Sequence, residues 1–362
     1  MRNEDRKTIT EKRSDIVAID LFCGAGGLTR GLLDAGINVK YGFDIDDDFR
    51  STYDNNNKPA KFFQIDIRHL RGQAIEQLLN LKSDDLFMLA ACAPCQPFSR
   101  HNRDHHYDRR KSLLLQVGRI LKELKRKPDF LFVENVPAIN EIGQRIVKSF
   151  QCILDELRYS YSSGVADAKD YGVPQRRKRF ILIGIKKSLY SEPISFPSKT
   201  HGGNGKDLLP YRTVKDAISH FPKLRAGNRR ESVLNHECAN LTPINLKRLA
   251  HSRPGGTHRT WPKELVLNCH VDHRGHSDVY GRMKWDEPSP TLTCRCTSIS
   301  NGRFGHPGQL RAISVREAAA LQTFPDEYEF FGDLGSKSMQ VGNAVPVLLA
   351  KVFGEHLVSF AT

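Results

Sequence analysis

One cysteine sits where a thiol can do chemistry. Phe87 to Ala91 is an apolar run that predicts a buried strand. It passes through Cys92 and Ala93 to Pro94, which has no N–H to extend a ladder; then come Cys95, Gln96 and a second proline, Pro97. Cys95 is therefore expected on a stiff turn at the C-terminal end of a strand, where open α/β sheets bind their ligands. The ordinary alternative is a buried structural cysteine. The polar stretch that follows, Arg100-His101-Asn102-Arg103-Asp104-His105-His106, favours an accessible thiol in a basic setting, where a thiolate forms readily.

Carboxylates fall at two further strand ends. Val39 to Phe43 reads as a strand ending in Asp44, which lies 20 residues after Gly24 of the turn Cys23-Gly24-Ala25-Gly26-Gly27. An acid at that offset is placed to accept hydrogen bonds from ribose hydroxyls. The dinucleotide fingerprint needs Gly or Ala where this chain has Thr29. A hydride-transferring dinucleotide enzyme is thereby disfavoured, and one nucleoside without phosphates, such as S-adenosylmethionine, fits better. Leu131 to Val133 reads as a strand ending at Glu134, with Asn135-Val136-Pro137 behind it. In Gln175-Arg176-Arg177-Lys178-Arg179, the alternation of Arg177 and Arg179 into a strand predicts both guanidiniums on one face, aimed at the carboxylate and thiol.

The elements that must position these groups alternate. Asp15–Phe22, Val39–Phe43, Phe62–Ile65, Phe87–Ala91, Leu131–Val133, Tyr159–Val165 and Phe180–Ile185 read as strands. Leu28–Ala35, Ser112–Lys125 and Ile142–Leu157 carry helical spacing. The pattern predicts an α/β fold with a doubly wound, mostly parallel sheet. After Ile185, prolines, glycines, histidines and basic residues interrupt every apolar run through Trp285, which predicts a smaller, irregular second domain. Ser314 with Glu317 forms a capping box ahead of a helix through Gln322, and Val347–Leu357 is a closing helix.

The chain has 362 residues, and no apolar run suggests a membrane span or a signal peptide, so a cytoplasmic protein is expected. Its eight cysteines are expected as free thiols. Net charge is +14, and residues 186–285 hold 18 Lys and Arg against 8 Asp and Glu. That concentration in one region points to a polyanionic partner rather than to general solubility.

Together these motifs resemble the DNA (cytosine-5)-methyltransferases of bacterial modification systems. Asp20-Leu21-Phe22-Cys23-Gly24-Ala25-Gly26-Gly27, Pro94-Cys95-Gln96, Glu134-Asn135-Val136, Gln175 to Arg179, Pro290-Thr291-Leu292 and Gly342-Asn343-Ala344-Val345-Pro346 follow the family's order over most of the chain. One departure is Lys111, where a glycine is common before Ser112-Leu113. The resemblance implies Cys95 as nucleophile, with Glu134, Arg177 and Arg179 holding the target cytosine and the nucleophile's surroundings. It implies an S-adenosylmethionine pocket lined by Phe22, Gly24, Gly26, Asp44, Ile45, Asp66, Ile67, Leu113, Asn343 and Val345. It further implies a Rossmann-like catalytic domain over residues 1–187, a target recognition domain over 188–300 and a returning catalytic part over 301–362. Double-stranded DNA is the implied substrate and a monomer the implied state, with a separate restriction endonuclease as companion or an orphan modification role. An RNA methyltransferase on the same fold is the alternative, but the Cys-Phe-Thr tripeptide of the tRNA-acting branch is absent. A zinc site is disfavoured because Cys92-Ala93-Pro94-Cys95 has no second C-x-x-C partner.

Overall fold

The computed structural model describes residues 15–94, 112–203, 207–256, 258–268 and 278–361; Cys95 and the basic loop after it lie outside them. A seven-stranded sheet runs in the order β3-β2-β1-β4-β5-β7-β6. Its strands are β1 (Ile16–Leu21), β2 (Asn38–Asp44), β3 (Lys61–Gln64), β4 (Leu86–Ala91), β5 (Phe130–Asn135), β6 (Tyr159–Asp167) and β7 (Lys178–Lys186). The first five are mutually parallel, and β7 is inserted antiparallel between β5 and β6.

Burial on both faces explains the unbroken apolar runs. In β1, Ile16 and Ala18 join one core cluster, whereas Ile19 and Leu21 join the other. Helices cover both faces. On one side α1 (Gly27–Asp34) packs against the C-terminal helix α11 (Val347–Val358). On the other lie α3 (Gly72–Leu79), α4 (Leu113–Glu123) and α6 (Gln144–Glu156), the last preceded by the short helix α5 (Ile139–Ile142). Helix α2 (Arg50–Asn56) precedes β3. Strand β1 lies between β2 and β4, so the chain's winding direction reverses there. The crevice outside the ends of β1 and β4 is the natural ligand site of such a sheet. The glycine turn and the Pro94 turn both leave from that crevice.

From residue 188 onward the described elements are short. They include α7 (Val214–Ile218), α8 (Pro243–His251), 3₁₀ turns and isolated bridges, before α9 (Val315–Leu321) and α10 (Leu334–Asn343). A third core cluster unites α7, Phe304, α9 and Tyr328 with Ala25 of the glycine turn. Side chains, rather than ladders, fix this region. His236 bridges Ser314 Oγ (2.9 Å) and the Pro222 carbonyl (2.8 Å), and Arg311 makes a buried two-point pair with Glu317 at 2.7 Å. Ser314 and Glu317 form the capping box expected at the start of α9. The apolar stretch Leu334–Val358 is long enough to span a bilayer, but Pro346 divides it and α11 is packed on α1.

Candidate active site

The β1 turn is shaped for close approach. Phe22, half-buried, has a φ of 60°, a conformation that L-residues adopt only when their surroundings hold them there. Gly24 has a φ of 51°, and a Cβ added to it would meet nothing within 4 Å, so space stands open in front of this backbone. Gly26 precedes α1 at φ 87°. At the end of β2, Asp44 Oδ2 accepts from Gly24 N at 2.9 Å and Oδ1 accepts from Asp46 N at 3.1 Å. Burial raises the Asp44 carboxyl above its ordinary value, against the opposing backbone hydrogen bonds. Ile45 beside it is 59% exposed, an apolar surface left open next to the carboxylate. Ile67 is buried, and the Asp66 carboxylate is held by Arg68, which keeps its pKa below the usual range.

The C-terminal segment reaches the same turn. The Tyr328 hydroxyl donates to the Ala25 carbonyl and accepts from Asn57 Nδ2 at 2.8 Å. Val345 is buried with its carbonyl over Gly27, and Asn343 is exposed at the end of α10. Leu113 opens α4.

Below the turn is a polar group that the sequence reading did not single out. Asp20, fully buried in β1, accepts from Thr29 Oγ1 at 2.7 Å through Oδ2, and that hydroxyl also lies 3.0 Å from the Tyr53 hydroxyl. Thr29, read above only as a missing glycine, is therefore a partner to a buried acid. Its signal was a lone aspartate inside an apolar run. Burial pushes the Asp20 carboxyl up to about 7, helped by the charge of Asp44. A carboxyl whose pKa rises from 3.8 to about 7 on folding binds its proton more tightly in the native state. Its stabilising contribution is thus present at acid pH and lost as pH rises toward 7. His306, pushed down to about 4 by burial, acts in the opposite sense over the same range. Comparison of Asp20→Asn with the parent protein isolates the acid. Urea midpoints measured from pH 4.5 to 8 should show the parent losing stability relative to the variant as pH rises, and parallel profiles would contradict this.

At the end of β5, Glu134 is 7% exposed and its Oε1 pairs with Arg179 Nε at 2.8 Å. Asn135 Nδ2 donates to the Ala93 carbonyl at 3.1 Å, and Asn135 Oδ1 accepts from Val136 N at 2.8 Å. The carboxamide thus ties the strand end bearing Glu134 to the segment that leads through Pro94 into Cys95. This brace was not foreseen; only the adjacency of Asn135 to Glu134 hinted at it. Cys92 is close to this carboxylate, and burial, reinforced by the Glu134 charge, raises its thiol well above the ordinary range. Cys92 therefore stays protonated.

The two arginines make different hydrogen bonds. Strand β7 begins at Lys178, and the pairing with β6 continues one residue back, where Ala168 N donates to the Arg177 carbonyl at 2.9 Å; the charges of both guanidiniums reach the Cys92 thiol. Arg177 is 2% exposed and donates to the carbonyls of Leu292 (2.8 Å), Gly342 (3.1 Å) and Ala344 (3.0 Å). Gln175 bonds alongside it to Leu292 N, through Oε1, at 2.9 Å and to Gln322 at 2.9 Å. Arg177 is thus a clamp between distant segments, and Arg179 is the guanidinium that meets Glu134.

The family model for C-5 cytosine-specific DNA methylases matches residues 16–359. The chain belongs to this family. It is 39% identical over 349 residues to the Type II methylase M.HgiDII of Herpetosiphon aurantiacus, covering 94% of this chain and 95% of that protein. It is 32% identical to the Type II methyltransferase M1.HphI of Haemophilus parahaemolyticus, covering 95% and 87%. Among solved structures, an E. coli prophage-encoded protein classed as a DNA modification methyltransferase superposes with a TM-score of 0.75 at 24% identity, over 96% of this chain and 99% of that one. The S. pombe Dnmt2 methyltransferase does so with a TM-score of 0.61 at 16% identity, over 96% and 98%. Both likenesses concern the fold. The protein is therefore a cytosine-5 DNA methyltransferase by family, with the Rossmann-like methyltransferase sheet.

Proposed function

We propose that this methyltransferase acts on a flipped-out cytosine in a specific duplex sequence through a covalent adduct between Cys95 and C6, in a restriction–modification or orphan modification role. The observation that carries this reading is the Glu134–Arg179 pair at the end of β5, braced through Asn135 to the residue before Pro94-Cys95 and beside the β1/β4 crevice.

The residues around the glycine turn fit S-adenosylmethionine. Gly24 leaves backbone open to it, Gly26 lets the turn close against Asn57 and Tyr328 where any Cβ would collide, Asp44 retains acceptor capacity for ribose hydroxyls, and exposed Ile45 offers an apolar face to the adenine. Phe22, Asp66, Ile67, Leu113, Asn343 and Val345 complete the proposed pocket. When bound, the cofactor supplies an electrophilic methyl group on a sulfonium.

The chain's own groups prepare the base. Cytosine C5 is a poor nucleophile; addition of the Cys95 thiolate to C6 gives it enamine character. When the base enters, Glu134 takes up a proton and donates to N3 while its second oxygen accepts from the exocyclic amine, and these bonds strengthen as N3 gains electron density. Arg179 fixes the carboxyl's orientation. Extrusion of the base costs a few kcal/mol. Basic contacts from the region we assign to target recognition, residues 188–300, offset this.

Bisulfite sequencing of DNA from cells expressing the protein tests the reading. Protection of cytosine within one recurrent sequence is expected, dependent on Cys95. Uniform conversion of every cytosine would overturn it.

A further inference from the structure

One loop of the region assigned to target recognition is mounted directly on the site. Residues 289–292 run parallel to 175–177: Gln175 and Ser289 form a parallel bridge, Arg176 N donates to the Ser289 carbonyl at 2.9 Å, and Thr291 Oγ1 donates to the Arg176 carbonyl at 2.6 Å. Arg177 bonds the Leu292 carbonyl, and its charge reaches both Cys92 at the end of β4 and Cys296 of this loop, so the turn that follows Leu292 stands beside the site. Its start is held on three sides. Arg177 and Gln175 grip both backbone groups of Leu292. Gly342 packs so closely on the Thr293 carbonyl and Cys294 N that any Cβ there would collide. Buried Cys296 and Thr297 bond to Ser338 of α10. Between these anchors Arg295 is exposed, and it makes no ion pair or side-chain hydrogen bond among the described residues.

We propose that Arg295 binds a DNA backbone phosphate flanking the flipped cytosine. The inference rests on the DNA-methylation reading and adds a residue to it. A flipped nucleotide swings its flanking phosphates away from their duplex positions, so a charge fixed at the mouth of the base pocket stabilises the extruded state. A guanidinium on a rigid mount suits this, since it bonds two phosphate oxygens at once with little ordering cost. A phosphate contact positions the duplex and carries no sequence information. Arg295 therefore contributes to affinity and flipping rather than to site choice.

The test uses the full-length protein and duplex oligonucleotides carrying the methylated sequence or a scrambled one. Anisotropy is read across a salt series, and 2-aminopurine at the target position reports extrusion. Arg295→Ala should weaken binding to the recognised duplex several-fold and to the scrambled duplex less, since only the former carries an extruded base, and reduce the slope of log K against log salt for the recognised duplex by about 0.9. It should lower the 2-aminopurine signal while calorimetric S-adenosylmethionine affinity stays unchanged. Arg295→Lys should restore the salt slope. Unchanged affinity and slope in Arg295→Ala would overturn the assignment. So would a changed sequence preference at constant slope, which marks a base contact. Salt-insensitive binding by the parent protein would instead overturn the DNA reading itself.

Discussion

Replacement of Cys95 by alanine should abolish methyl transfer, by roughly 10⁴-fold or more, because no other group then supplies the covalent activation of C6. Serine should be nearly as poor, since a hydroxyl is far from ionised at neutral pH where a thiol of pKa about 8.5 is partly ionised. Calorimetry should find S-adenosylmethionine affinity retained in both variants, because the proposed pocket is built from the β1 and β2 turns. Cys92→Ala is the contrasting control. Burial and the Glu134 charge hold the Cys92 thiol in its neutral form, so its loss removes no nucleophile. Incorporation of labelled methyl groups into duplex DNA reads all three. Substantial turnover by the alanine variant would end the nucleophile assignment.

The sheet was legible in the sequence because its strands are covered on both faces and so read as continuous apolar runs. Strand ends were legible because Asp44 and Glu134 break the apolar character of those runs, and the structure places Asp44 last in β2 and Glu134 next to last in β5, both still buried. The hydrogen bonds of Arg177 were not legible, because alternation says which face a side chain takes and not what it bonds. Arg177 lies just before β7, and its partners are 115, 165 and 167 residues away in sequence. No local pattern records such contacts. Thr29 failed differently. A template that asks only for glycine registers its absence and not the Asp20 carboxyl that the hydroxyl serves. Residues 188–300 gave no periodic signal because their backbone is pinned by side chains such as His236 and Gln309, the latter accepting from Leu224 N at 2.8 Å. Bonds of that kind leave no repeat in the sequence.

The placement of Arg177 makes its loss a matter of architecture. In Arg177→Ala, the Leu292 and Gly342 carbonyls lose their donor in a buried setting, whereas the Ala344 carbonyl keeps the Gln322 amide at 3.1 Å. Each buried group left unpaired costs about 1–3 kcal/mol, and the emptied volume adds to this, so a loss of roughly 3–5 kcal/mol is expected. Lysine should recover only part of it, since one ammonium cannot span carbonyls that a planar guanidinium bonds together. The consequence for chemistry follows from what those carbonyls belong to. Gly342 and Ala344 flank Asn343, and Leu292 leads into the Arg295 loop, so slackening the clamp loosens the proposed cofactor pocket and the proposed phosphate contact together. Denaturant midpoints and S-adenosylmethionine affinity should therefore fall in concert. If Arg177 instead served only to hold the target cytosine, methyl transfer would drop while the unfolding midpoint and cofactor affinity stayed at parent values. Urea titration and calorimetry on the same preparation decide between the two.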